Sequence, residues 1–193
     1  MRLARRTALG VLGAALMPVH AQARKLTIAA ASDLRFALDE AMRAFRAVHA
    51  DARIEVVYGS SGKLATQIRH GAPFDVFLSA DREFADALHR DGFAAGAPRL
   101  YARGHLVAWS TDASLGRLPL ADLVRDARVQ RFAIANPEHA PYGRRAVEAL
   151  RSQGQWDAVQ PKLVLGENIA QAVQFVQTGA AQAGLVALSL VLA

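Results

Sequence analysis

The sequence predicts an α/β fold of two lobes, each built on a mainly parallel sheet covered by helices, with a ligand crevice at the carboxyl ends of the strands. Three observations carry this. Short β-rich runs alternate with helical patterns along most of the chain. A stretch rich in Gly, Ala and Pro, Asp91 to Arg99, interrupts the alternation, and a second β-α series begins beyond it. At Ala31-Ser32-Asp33, at Gly59-Ser60-Ser61-Gly62 and at Pro137-Glu138-His139-Ala140-Pro141-Tyr142-Gly143, an apolar strand runs into small or hydroxyl residues and then into a helix.

The first lobe is drawn over residues 24–104. It opens with a strand, Lys25 to Ile28, followed by Leu34, Leu38, Ala41, Phe45 and Val48 at helical spacing. A strand from Ile54 to Tyr58 and a helix from about Ser61 to His70 come next. Gly71-Ala72-Pro73 then punctuates the chain before a strand from Val76 to Ser79 and a helix from about Asp81 to Arg90. The second lobe is drawn over residues 105–193. It reads as a strand Leu106 to Trp109, a helix Leu120 to Arg125, a strand Phe132 to Ala135 and a helix Arg144 to Gln153. A strand Lys162 to Leu165, a helix Ile169 to Gln177 and a strand Gly184 to Ala187 complete the series.

Residues 1–23 read as a secretory signal. Arg2, Arg5 and Arg6 form a basic start, Thr7 to Met17 an apolar stretch, and Ala21-Gln22-Ala23 a small-x-small cleavage site. The apolar run is shorter than the ~20 residues a membrane-spanning helix needs. Arg5-Arg6 also resembles a twin-arginine signal, but no bulky aromatic residue follows the pair, and the general export route is expected. Without residues 1–23 the formal charge falls from +6 to +3, because three arginines and no acidic residue are lost. The remaining arginines are scattered, so nucleic acid is not expected as a partner. There is no cysteine, which excludes a disulfide framework, a thiolate metal site and a thiol nucleophile. Roughly 170 residues, with about half of the chain hydrophobic, suffice for one substantial core or two small ones.

The strand-to-helix junctions are candidate anion seats. The first N–H groups of a helix lack intrahelical acceptors and lie at the positive end of the peptide dipoles, so an oxyanion can satisfy them, and a serine hydroxyl adds a donor. The simpler reading is that Ser32, Asp33 and Ser61 are helix N-caps, and the two roles are compatible. Gly59-Ser60-Ser61-Gly62-Lys63 is not a nucleotide-binding loop, because Val57 stands where the earlier glycine is needed and Leu64 follows the lysine. It also lacks the Gly-x-Ser-x-Gly spacing of a hydrolase nucleophile. The six histidines are spread singly, with no pair at metal-ligand spacing, and no direct metal ligation by side chains is expected. His139 is expected to shape its own loop through side-chain hydrogen bonds.

The motifs Ala29-Ala30-Ala31-Ser32-Asp33-Leu34, Gly59-Ser60-Ser61-Gly62-Lys63-Leu64 and Gly71-Ala72-Pro73-Phe74-Asp75-Val76 resemble the periplasmic molybdate-binding proteins of ABC transporters, in the type II solute-binding family. Asn136-Pro137-Glu138-His139-Ala140-Pro141-Tyr142-Gly143 and Pro161-Lys162-Leu163-Val164-Leu165-Gly166-Glu167-Asn168-Ile169 continue the resemblance in order and spacing. It spans nearly all of Lys25 to Ser189. The resemblance implies a type II periplasmic-binding-protein-like fold that holds molybdate or tungstate between its lobes through hydroxyls and main-chain N–H groups. It assigns Ser32 and Ser61 as hydroxyl and N–H donors from the first lobe, and the N–H groups of Tyr142 and Ile169 from the second. A further tyrosine hydroxyl common in the family falls at Ala187 here, which leaves one donor unaccounted for.

By the same resemblance the protein is periplasmic, needs no cofactor, works as a monomer and delivers its oxyanion to an ABC permease. Relatives return to the first lobe with further strands and a helix, so the C-terminal part of the fold is expected to be missing. Two alternatives stay open at this point. One is a binding protein for sulfate or another oxyanion. The other is an exported enzyme on the same scaffold, with Glu138, His139 and Glu167 as its candidate acid and base groups.

Overall fold

The structure, a computed structural model, describes residues 25–192. The expected signal, residues 1–23, lies outside the described residues. Within them the chain forms two α/β lobes, each around its own sheet.

The first sheet has the strand order β2-β1-β3, from β1 (Leu26–Ala31), β2 (Ile54–Gly59) and β3 (Val76–Leu78), and all of its pairs are parallel. β1 runs three residues further than the sequence suggested, because Ala29, Ala30 and Ala31 are small enough to be fully enclosed while still pairing with Val57, Tyr58 and Gly59. A 3-10 turn, Ser32–Leu34, leads into α1 (Arg35–Val48); α2 (Ser61–Arg69) and α3 (Arg82–Arg90) follow β2 and β3. Asp81 caps α3 by accepting the Glu83 N–H at 2.9 Å. α1 departs from the expected covering role. None of its residues is buried, and Phe36, Phe45 and Val48 are exposed. It packs on the turn Ser32–Leu34 and on a second 3-10 turn, Leu188–Leu190, and reaches β2 through polar contacts, Tyr58 donating to Asp39 at 2.6 Å and Arg46 to the Ile54 carbonyl at 2.7 Å.

The second sheet has the order β4-β7-β5-β6, from β4 (Leu106–Trp109), β5 (Phe132–Ala135), β6 (Leu163–Gly166) and β7 (Ala183–Ala187). β5 pairs in parallel with β6 and β7, whereas β4 is antiparallel to β7. The main apolar core lies here. Phe132 and Ile134 point into one cluster with Leu123, Leu150 and Val159, and Ala133 and Ala135 into another with Tyr142, Ile169 and Val186. Two adjacent residues of β5 thus feed opposite faces, as the period of two requires.

The helices of this lobe are α4 (Leu120–Arg125), α5 (Pro141–Ser152), α6 (Trp156–Val159) and α7 (Ile169–Gln177). α5 begins three residues before the expected Arg144. Pro141 occupies its first turn, where its fixed φ suits the helix and its missing N–H costs nothing. α6 and the 3-10 turn Gln160–Lys162 were not expected, since a single helical turn is too short to display periodicity.

Candidate functional site

Four helical starts meet where the lobes face each other. The 3-10 turn at Ser32 and the first turns of α2, α5 and α7 converge on a small, partly open cavity of about 10 Å³, lined by Ser32, Asp33, Ser61, Tyr142 and Ile169 among others. All four residues singled out as anion donors therefore line one space, two from each lobe. Among the described residues, no lysine or arginine lines it.

The backbone supplies the seat's polarity. Ser61 and Ile169 are the first residues of α2 and α7, and Tyr142 is the second of α5, so their N–H groups lack intrahelical acceptors. Neighbouring N–H groups are engaged: Gly62 donates to the His139 carbonyl, Gly143 and Arg144 to that of Ala140, and Gln171 to the Asn168 side chain. Those of Ser61, Tyr142 and Ile169 have no protein acceptor among the described residues.

Neither serine acts as a side-chain cap. The Ser61 hydroxyl, fully buried, accepts the Ala80 N–H at 3.0 Å and keeps its own proton to donate. The Ser32 hydroxyl spans the lobes, donating to Asn168 Oδ1 at 3.2 Å and accepting the Ala170 N–H at 3.3 Å. Both contacts are long, and to bind an anion the Ser32 proton exchanges one acceptor for another. Asn168 also caps α7, so one side chain orients both Ser32 and the helix that carries Ile169.

His139 departs from the expected role. Its Nδ1 is hydrogen-bonded to Ser60 Oγ at 2.9 Å and its carbonyl accepts the Gly62 N–H at 2.9 Å, so it joins the lobes instead of shaping its own loop. Gly62 is required for that approach, since a Cβ there would lie 2.6 Å from the His139 oxygen. Glu167 pairs with Lys63 across the rim and lies 3.9 Å from His139 Nε2. Glu138 is exposed, its N–H donating to Asn136 Oδ1. Further out, Arg144 and Arg145 of α5 reach Glu83 at 3.0 Å and Asp81 at 3.4 Å in the other lobe.

Asp33 is the buried acid of the site, at 8 % exposure. Its Oδ2 accepts the Tyr142 hydroxyl proton at 3.1 Å, and its carbonyl accepts that of Ser189 at 2.8 Å. Tyr142 has room for this because Gly104 faces its hydroxyl, where a Cβ would stand 2.0 Å away. Burial pushes the Asp33 carboxyl above its usual range, an effect the Tyr142 bond partly offsets. Burial and the nearby Asp33 charge push the Tyr101 hydroxyl up to about 12, and they raise Tyr142 as well. Sequence reasoning weighed Asp33 only as a helix start or cap; its pairing with Tyr142, 109 positions away, has no local signal. Ala187 is fully buried in the core and does not line the cavity.

A sequence profile for bacterial extracellular solute-binding proteins matches residues 26–193. The molybdate-binding protein ModA of Rhodobacter capsulatus is 41% identical over 140 residues, covering 72% of this chain and 55% of that protein. The molybdate-binding protein ModA of Azotobacter vinelandii is 39% identical over 179 residues, covering 92% of this chain and 70% of that protein. Among solved structures, the periplasmic molybdate-binding protein of Azotobacter vinelandii superposes with a TM-score of 0.76 at 30% identity, over 84% of this chain and 71% of that one.

Proposed function

The chain belongs to the family of bacterial extracellular solute-binding proteins, and from that premise we propose that it captures molybdate or tungstate outside the cytoplasm and presents the anion, as a monomer, to an ABC permease. The observation that carries this reading is the convergence of four helical starts, two from each lobe, on one small cavity with no basic side chain among the described residues that line it. Fixed N–H and O–H dipoles stabilise a fully ionised tetrahedral dianion where it is shielded from water. The relatives named as molybdate-binding supply the choice of anion.

In this reading Ser32 and Ser61 donate their hydroxyls, and Tyr142 and Ile169 their N–H groups. A dianion bridging them favours the closed arrangement by its differential affinity. Hydrogen phosphate is disfavoured, because its remaining proton needs an acceptor, and an unmatched buried polar group costs about 1–3 kcal/mol. Sulfate has the charge and shape of the preferred anion and is excluded by size.

No catalytic role is assigned. Glu167 is held by Lys63, His139 by Ser60, and Glu138 faces solvent, so none of the three groups an enzyme on this scaffold was expected to use lines the cavity. Calorimetric titration tests the reading. Molybdate and tungstate should bind at one site per chain, sulfate more weakly and phosphate weakest. Equal affinity for sulfate would replace the proposed ligand, and no heat with any of the four would end the oxyanion reading.

A further inference from the structure

The buried carboxyl of Asp33 is not used by the reading above, and it stands in the wrong place for an ionised group. It lines the cavity into which a dianion would go, beside Ser32. Its Oδ1 is buried with no hydrogen-bond partner among the described residues, while Oδ2 has only the neutral Tyr142 hydroxyl. A carboxylate in such a position would lack compensating charge and would repel the incoming anion at short range.

We propose that the Asp33 carboxyl is protonated while the anion is held: binding draws one proton from solvent onto Asp33, and the acid O–H becomes an additional donor at the seat. This rests on the oxyanion-binding reading. Protonation removes the repulsion and gives the orphaned oxygen a donor's role, while Oδ2 keeps the Tyr142 bond. It also bears on selectivity. An ionised Asp33 would accept the proton of hydrogen phosphate and favour that anion, whereas the neutral acid offers only a donor in that place and favours the fully ionised dianion.

Among the described residues, no charged side chain is bonded to the Asp33 carboxyl. α5 presents Tyr142 to Asp33, and the segment before β4 presents Tyr101. The facing part of α7 and the turn Leu188–Leu190 contribute Asn168, Ile169 and Ser189, none of which titrates. The charged groups nearest the rim are engaged with one another, Lys63 with Glu167 and Arg144 and Arg145 with Asp81. Burial already raises the carboxyl in the same direction, and by linkage a bound dianion raises it further and is itself bound more tightly by the protonated form.

The test is calorimetry with sodium molybdate from pH 5.5 to 8, each pH run in two buffers of different ionisation heat, so that protons exchanged per anion are read directly. The protein should take up a proton, approaching one per anion, in a window where its Kd weakens by up to about tenfold per pH unit. D33N, whose amide imitates the neutral acid, should show no uptake and an affinity that does not vary with pH. H139Q, whose affinity is expected to fall because His139 joins the lobes, should keep the uptake per anion bound. Binding without uptake at any pH, uptake that persists in D33N, or uptake lost in H139Q would each overturn the assignment to Asp33. Were D33N not to fold, the parent and H139Q measurements still decide. Absence of molybdate binding by the parent at every pH would instead end the functional reading, and this inference with it.

Discussion

Ser61 is the freer of the two serine donors, since its hydroxyl accepts from Ala80 and keeps its proton, whereas the Ser32 proton is shared with Asn168. A hydrogen bond to a charged group is worth about 1.5–3 kcal/mol, so Ser61→Ala should weaken molybdate binding by roughly one to two decades. Ser32→Ala should lose less, because it also frees Asn168. Measuring affinity and chemical stability on each variant separates this from a capping role; unchanged affinity with ~0.5–2 kcal/mol lost from stability would point to a cap after all. Asp33 makes a second prediction, with a definite sign. Its folded-state pKa is raised above 3.8, so its contribution to stability is fully present below that value and is lost as pH rises through the folded pKa. The melting temperature of D33N relative to the parent should therefore rise as pH increases above 3.8, and a constant difference would contradict the buried-acid account. Ser32, Ser61 and the loop that carries Tyr142 were marked by their strand-to-helix junctions, a local pattern, whereas Ile169 and the N–H role of Tyr142 were suggested only by the family resemblance. The partners of Ser32 and Asp33 were not, because Asn168 and Tyr142 lie 136 and 109 positions away and meet them only through the lobes' orientation.

The elements that matter most are the helical starts and the glycine that lets two of them approach. Gly62 in α2 passes so close to the His139 carbonyl that a methyl group cannot be accommodated without moving backbone. Gly62→Ala should hold the lobes apart and weaken molybdate binding by roughly tenfold or more, equivalent to at least ~1.4 kcal/mol. Because Gly62 lies outside the core of the second lobe, the circular dichroism of the variant should match the parent's; parent-like affinity would show that the contact between α2 and His139 is dispensable. Several elements were readable to within a residue or two. α4, α7, β4 and β5 were bounded correctly, since each combines an apolar run with flanking punctuation. α5 was placed too late because the Ala140-Pro141 step was read as loop, when Pro141 opens the helix. The antiparallel pairing of β4 with β7 was not foreseen, because strand direction depends on a connection and not on composition. α1 has a strongly amphipathic pattern yet buries none of its residues, and pattern alone does not say what lies opposite.

At the scale of the whole molecule, two lobes with separate sheets are joined by a seam of polar contacts: Gly62 and Ser60 with His139, Lys63 with Glu167, Ser32 with Asn168, and Asp33 with Tyr142. The exposed ion pair in that seam contributes little, since pairs in water are worth about 0–1 kcal/mol, so a bound dianion should dominate the preference for closure. Molybdate binding only to the folded protein should raise its stability by about 2.7 kcal/mol at a hundredfold excess over Kd. A thermal melt would register this as a clear upward shift, and an equal shift with sulfate would argue that size does not select. The central claim is positional, that the oxyanion sits among the four helical starts. Anomalous diffraction at the molybdenum edge, from crystals grown with saturating molybdate, tests it most directly. The account predicts one strong peak per chain within hydrogen-bonding range, through its oxygens, of the Ser32 and Ser61 hydroxyls and the Tyr142 and Ile169 N–H groups. A peak elsewhere on the molecule, or none in the cavity at saturation, would contradict it.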